Sequence, residues 1–180
     1  MSKFDNIQRK TNFERQVIAY VDDLLKTATH ILKNRQDAED AVQEAYFRAW
    51  KYFESFDPST DGRPWMYRIL FNVINGKLGK RAKLAETPFE AMENADLPAS
   101  KVLIFDPVAS LDGSEVVAAT EKLSAEHRSV LLLVIVEEFS YKETADILDI
   151  PVGTVMSRLH RARKEIRAIL NRKRATGTSH

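Results

Sequence analysis

Apolar residues recur every three or four positions over most of this chain, and the register changes at a few polar breaks. Phe13, Val17, Tyr20/Val21, Leu24, Ala28 and Ile31 keep one helical face apolar, which predicts a first long helix. Asn34-Arg35-Gln36 is a short break. Asp37 is the expected cap of a second helix, DAEDAVQEAYFRAWKYF, with Ala38, Ala41/Val42, Ala45, Ala49 and Tyr52/Phe53 facing inward. Its acids crowd the first turn, where the helix dipole favours them. Ser55 to Gly62, SFDPSTDG, reads as a loop. Pro64 is expected to open a third helix, with Met66, Ile69/Leu70, Val73 and Leu78 toward the core. Three such helices predict a compact N-terminal bundle.

The period disappears from Leu84 to about Ser114, a stretch that holds Pro88, Pro98 and Pro107. So long a run without its own periodicity is uncommon inside a domain, so it reads as an interdomain linker, with room for a short helical piece around Phe89 to Glu93. Periodicity returns near Glu115. Val116 to Leu123 is one expected helix, and Ser124 caps another, AEHRSVLLLVIVEEF, whose apolar middle should be buried. Residues after Arg172 are expected to fray. The predicted fold class is all-α: two small helical domains, 10–83 and 115–172, joined by an acidic linker over 84–114.

Ser140 to Arg163 carries the sharpest local signal. Ser140 with Glu143 three residues on makes a capping box. Ala145, Ile147 and Leu148 give a short helix an apolar side, and Asp149-Ile150-Pro151-Val152-Gly153 breaks it. A second helix is expected from Thr154, with Val155 and Leu159 inward. Thr154, Ser157, Arg158, His160, Arg161 and Lys164 are then candidates for DNA contact on its outer side. A basic helix after a tight helix-turn-helix suits a major groove, where arginine can grip guanine with two bonds. The competing reading is a helical hairpin with a solvated basic face.

Charge supports the sharper reading through its distribution. Net charge is only +1 over 180 residues, so the total announces nothing. Yet Arg63 to Lys83 holds six basic residues and no acid, Leu84 to Glu115 holds seven acids against Lys101 alone, and Arg158 to Arg174 is basic but for Glu165. A basic–acidic–basic layout cancels in the sum but not in space. The chain has no cysteine, which excludes disulfides and cysteine-bound zinc. MSKFDNIQRKTNFERQ has no apolar signal core, and the run Val130 to Val136 is too short to span a bilayer, so a soluble cytoplasmic protein is expected.

The two basic blocks differ in kind. Around Arg63, Trp65, Tyr67, Arg68, Phe71, Asn72, Asn75 and Lys77, rings and amides alternate with cations, which suits unpaired nucleic acid: bases stack on rings while cations hold the backbone. Trp65 is read as largely structural, and Tyr67, Arg68, Asn72 and Asn75 as the exposed contacts. The polar loop ahead, with Asp57, Ser59, Thr60 and Asp61, offers a cup for a flipped base. The acidic second helix would repel DNA, so Asp40, Gln43, Glu44, Phe47, Arg48 and Lys51 on its outer side are candidates for binding protein. Acids that only complement the helix dipole are the blander account of that face.

DAEDAVQEAYFRAW, RPWMYRILFNVING and SYKETADILDIPVGTVMSRLHRARKEI, in this order and spacing, together resemble an extracytoplasmic-function (ECF) bacterial sigma factor over nearly the whole chain. The resemblance implies a promoter-recognition subunit of RNA polymerase, serving a stress or envelope-response regulon. Region 2, residues 10–83, would bind the β′ coiled coil of core polymerase through the DAEDAVQEAYFRAW helix. It would also recognise and melt the −10 element through Phe53–Pro64 and the helix that follows. Region 4, residues 115–172, would read the −35 element with Thr154–Lys164 and touch the β flap. The linker would run toward the RNA exit path, and an anti-sigma factor would hold the protein inactive. No cofactor is implied. Asp149 stands where many helix-turn-helix turns use glycine, and Met156 where many relatives carry lysine or arginine.

A conventional helix-turn-helix regulator acting without polymerase is the alternative, but it leaves the aromatic–basic helix and the acidic linker unexplained. An enzyme finds no support in the residues: His30, His127, His160 and His180 are scattered, without metal spacing, a phosphate-cradling glycine loop or a nucleophile–base pair.

Overall fold

The computed structural model describes residues 3–84 and 119–177, with side chains over 8–79 and 119–172. The chain divides into two units, whose described elements are helices and turns. Apart from Leu84, the linker expected over 84–114 lies outside the described residues, as does the beginning of the helix expected at Val116.

The first unit starts with α1 (Lys3–Val17), a 3-10 turn (Ile18–Tyr20) and α2 (Val21–Leu32). The single long helix expected here is therefore broken. The Val17 carbonyl accepts the Tyr46 hydroxyl at 2.8 Å, and the Val21 N–H turns back to the Ile18 carbonyl. The apolar period survives the break, because Phe13, Val17, Leu24, Ala28 and Ile31 are all buried. Lys33, in the left-handed region at φ 55°, closes α2. Helix α3 (Arg35–Tyr52) follows at once, and its cap is Asn34 rather than Asp37. The Asn34 side chain accepts the Asp37 N–H at 3.1 Å, which places Asp37 inside the first turn. Ala38, Ala41, Ala45 and Ala49 are fully buried, a flat seam on which α2 packs closely. Tyr52, expected inward, is exposed.

A second 3-10 turn (Phe53–Ser55) leads through the loop to α4 (Gly62–Leu84). This helix begins two residues before Pro64. Asp61 accepts the Arg63 N–H at 2.9 Å, and Pro64 sits in the first turn, where its missing N–H costs no bond. Gly62 admits α1: a Cβ there would lie 2.6 Å from the Gln16 carbonyl oxygen. Met66/Tyr67, Leu70/Phe71 and Val73/Ile74 bury two neighbouring positions per turn, so α4 packs against α1, α2 and α3 as the centre of the bundle.

In the second unit, residues 119–120 end a helix, and the N–H groups of Lys122 and Leu123 turn back to the carbonyls of Ala119 and Thr120. Ser124 caps α5 (Ala125–Leu131), accepting the His127 N–H. One π turn (Leu132–Val136) then ends this segment, short of the expected Phe139. Glu137 N–H bonds to the Leu132 carbonyl and Phe139 N–H to that of Leu133, and Glu138 sits at φ 56°. The widened turn leaves Val130 to Leu133 buried but Val136 exposed.

Helix α6 (Tyr141–Leu148) has the expected capping box in full, with Ser140 and Glu143 bonded reciprocally. Asp149, at φ 55°, adopts the left-handed conformation that glycine takes most cheaply. Helix α7 (Val152–Gly177) starts two residues before Thr154 because the Pro151 carbonyl already accepts from Thr154 and Val155, and it continues beyond Arg172, where fraying was expected. Val155, Leu159, Ala162, Ile166 and Leu170 on α7 meet Val130, Leu131 and Ala145 in one core.

Candidate nucleic-acid interfaces

Helix α7 sorts its residues as the helical repeat demands. The buried stripe occupies one side, and His160 and Lys164 stand exposed on the other, with Thr154, Ser157 and Arg161 partly exposed beside them. The Ser157 hydroxyl donates to the Thr154 carbonyl at 3.1 Å. Arg158 differs from its neighbours: its Nη2 lies 2.9 Å from Glu126 Oε2, and its side chain is only 25% exposed. Met156 is partly buried.

The loop before α4 is held by its own side chains. Asp57 accepts from both the N–H and the hydroxyl of Ser59, at 2.9 and 2.7 Å. Thr60 donates through its hydroxyl and N–H to the Asp57 carbonyl. The Ser59 bonds favour the charged carboxylate and hold the Asp57 pKa below its usual value. Asp61 also accepts the Tyr20 hydroxyl at 3.1 Å, and burial first, then the Asp61 charge, raises the Tyr20 pKa. These bonds leave Asp57, Ser59 and Thr60 exposed on a fixed turn. Beneath the turn Phe53, Phe56 and Trp65 pack ring to ring, Phe56 and Trp65 with centroids 4.8 Å apart. Trp65 is half-buried in this cluster, as expected of a structural residue.

Along α4, Arg68, Asn72 and Asn75 are exposed and recur on one side, and Arg63 is partly exposed. Tyr67 is not among them. It is 0% exposed, which corrects its assignment as a surface contact. It lies on the adjacent buried stripe with Met66, and Arg63 covers its ring at 5.4 Å. Phe71 is buried for the same reason. Lys77, expected at nucleic acid, has its Nζ 3.8 Å from Asp40 Oδ2, expected at a protein partner, so the outer sides of α3 and α4 touch there.

On α3, Asp40, Gln43, Phe47, Arg48 and Lys51 are exposed and Glu44 partly so. Phe47 is 65% exposed, a large ring with no core function. Glu44 and Arg48 pair at 2.7 Å along the helix, and Lys51 lies over the Tyr52 ring.

Residues 17–83 match the family described as Sigma-70 region 2, and residues 114–166 match Sigma-70, region 4. The chain is 35% identical over 156 residues to the ECF RNA polymerase sigma factor SigW of Bacillus subtilis, covering 82% of this chain and 83% of SigW. It is 34% identical to the ECF sigma factor EcfG of Rhodopseudomonas palustris, covering 86% and 82%. The chain belongs to the ECF sigma factors. Among solved structures it is similar to the sigma factor RpoE of Bartonella quintana in complex with the anti-sigma factor NepR, with a TM-score of 0.68, 27% identity, and 88% and 96% of the two chains covered.

A sigma factor directs promoter-specific initiation with core RNA polymerase, so the polymerase-dependent expectation stands and the free-standing regulator is set aside. The family is one of initiation factors and not of enzymes. Among the described residues no helix is long and apolar enough to cross a membrane. Within this sigma factor, sequence reasoning named Asp61 as part of the cup but missed its structural role, and it missed Glu126 altogether. Asp61 fixes the loop to Tyr20 and α4, which the Asp-Gly-x-Pro order at the helix start could have signalled. Glu126 engages Arg158 across two helices, and no local pattern announces it.

Proposed function

We propose that this sigma factor works through three faces. The outer side of α3, with Asp40, Gln43, Glu44, Phe47, Arg48 and Lys51, binds the β′ coiled coil of core polymerase. The loop and outer side of α4, with Asp57, Ser59, Thr60, Arg63, Arg68, Asn72, Asn75 and Lys77, recognise and melt the −10 element. Tyr67 supports that surface from below. Extruding a base costs a few kcal/mol, and stacking returns about 1–3 kcal/mol per base, so a few contacts on a pre-formed turn roughly offset the opening. Thr154, Ser157, His160, Arg161 and Lys164 of α7 read the −35 element, and Arg158 stands beside them with its guanidinium already engaged by Glu126. Region 2 is taken as residues 10–83 and region 4 as 115–172, the latter also touching the β flap. The acidic segment 84–114 runs toward the RNA exit path.

The observation that carries this reading is the clean division of α7 into a buried stripe and an opposite polar side, in a unit matched by Sigma-70, region 4. The relative from Bartonella quintana was solved with an anti-sigma factor. Control by such a partner, action in the cytoplasm and a stress or envelope-response regulon complete the proposal. The test is in-vitro transcription with bacterial core polymerase, with and without the protein, on a library of promoter fragments. Initiation that requires the protein and shares −35 and −10 motifs is expected. Initiation insensitive to substitutions in either motif would overturn the assignment of the matching face.

A further inference from the structure

One ion pair and one further close approach link the first turn of α5 to one flank of α7. Glu126 Oε2 lies 2.9 Å from Arg158 Nη2, and Glu165 Oε1 lies 2.8 Å from His127 Nδ1. At about 100° per residue, Arg158 and Glu165 project from the same flank, about two turns apart. Arg158 departs about 80° from the centre of the buried stripe, whereas Ser157, Arg161 and Lys164 depart by about 140–180°. Arg158 therefore leaves the helix beside the core, where α5 stands. A guanidinium meant for phosphate or a base edge is poorly served by a carboxylate at this distance. Releasing it would also leave Glu126 uncompensated beside a polyanion.

We propose that Glu126 and Arg158 form a clip that sets the rotation and seat of α7 on α5. Arg158 is then a positioning residue for promoter recognition rather than a base contact, and Glu126 supports specificity from outside the reading face. On the same flank two turns on, His127 Nδ1 approaches Glu165 Oε1 without a hydrogen bond between them, so the clip rests on the Glu126–Arg158 pair. The inference rests on α7 reading the −35 element.

The deciding variant is Glu126→Gln, assayed by in-vitro transcription with core polymerase on a promoter identified with the unaltered protein. If Arg158 reads DNA directly, freeing it from Glu126 leaves transcription unchanged or raises it. If the pair is a clip, −35-dependent transcription falls about three- to tenfold, the scale of coupling between contacting residues. The charge swap, Glu126→Arg with Arg158→Glu, is expected to recover most of the activity that Arg158→Glu loses alone. Unchanged or raised activity of Glu126→Gln, or a swap no better than Arg158→Glu, would overturn the clip. Melting temperatures of Glu126→Gln, Arg158→Gln and the double variant, taken without DNA, are expected to be non-additive. Additive values would also overturn the clip, whatever α7 reads. Transcription by the unaltered protein that ignores the −35 sequence would instead remove α7 as its reader, leaving the melting cycle to judge the clip.

Discussion

Asp57 accepts two hydrogen bonds from Ser59, and both act on its charged form. Its pKa is depressed, so the turn's share of this stabilisation is present above the ordinary carboxylate pKa and is lost as pH falls through Asp57's own lower value. Ser59→Ala removes the hydroxyl donor. The Asp57 midpoint in a carboxyl NMR titration should move up toward the ordinary value, and an unmoved midpoint would mean the backbone bond alone suffices. Tyr67 makes a different point. Truncating a fully buried aromatic residue costs about 3–5 kcal/mol, so Tyr67→Ala should lower the melting temperature sharply and impair promoter opening only through the fold. A normal melting temperature with failed opening would return Tyr67 to the DNA surface. The sequence placed Tyr67 outside because it adjoins Arg68, and a single apolar stripe through Met66, Leu70 and Val73 already satisfied the period. The second stripe, Tyr67, Phe71 and Ile74, is buried only because α4 is enclosed by three helices, which local spacing does not reveal.

At the scale of elements, the α6–turn–α7 segment was the most legible part of the chain, since cap, break and one-sided charge fall in one short stretch and agree with one another. Its turn is testable. Asp149 sits in the left-handed region, which costs a non-glycine residue about 1–2 kcal/mol. Asp149→Gly relieves that strain but loosens the unfolded chain by about 0.4–1 kcal/mol, so stability should change little. Asp149→Val should lower it by at least about 1 kcal/mol, read from thermal unfolding, and equal melting temperatures for the two variants would contradict the conformation. Other boundaries were hidden for physical reasons. At the break between α1 and α2 the Val17 carbonyl accepts the Tyr46 hydroxyl from another helix, a contact that local spacing does not announce. The choice of Asn34 over Asp37 as cap turns on backbone geometry, because both residue types can cap. The π turn at Leu132–Val136 lies within an apolar run that reads equally well as a plain buried helix.

Along the whole chain, a net charge of +1 hides separate blocks of charge, and the sequence showed that layout more clearly than it showed any one contact. The α3 face, outside those blocks, carries both charges and an exposed ring, Phe47, beside the Glu44–Arg48 pair, which suits the protein partner proposed for it. Reversing both charges, Glu44→Lys with Arg48→Glu, keeps an opposite-charge pair at i,i+4 and leaves the net charge and the buried alanine seam untouched. The reversed order is the less favourable one along a helix, but such pairs contribute only about 0.2–0.5 kcal/mol, so folding should be nearly unaffected. Binding to core polymerase should weaken by about tenfold or more, because a complementary surface then meets like charges at two positions. Pull-down of core polymerase at two salt concentrations checks this, with the loss shrinking at the higher one as screening sets in. Full retention of core binding with an unchanged melting temperature would show that α3 holds this pair for the helix alone, and the polymerase would have to engage a different face of region 2.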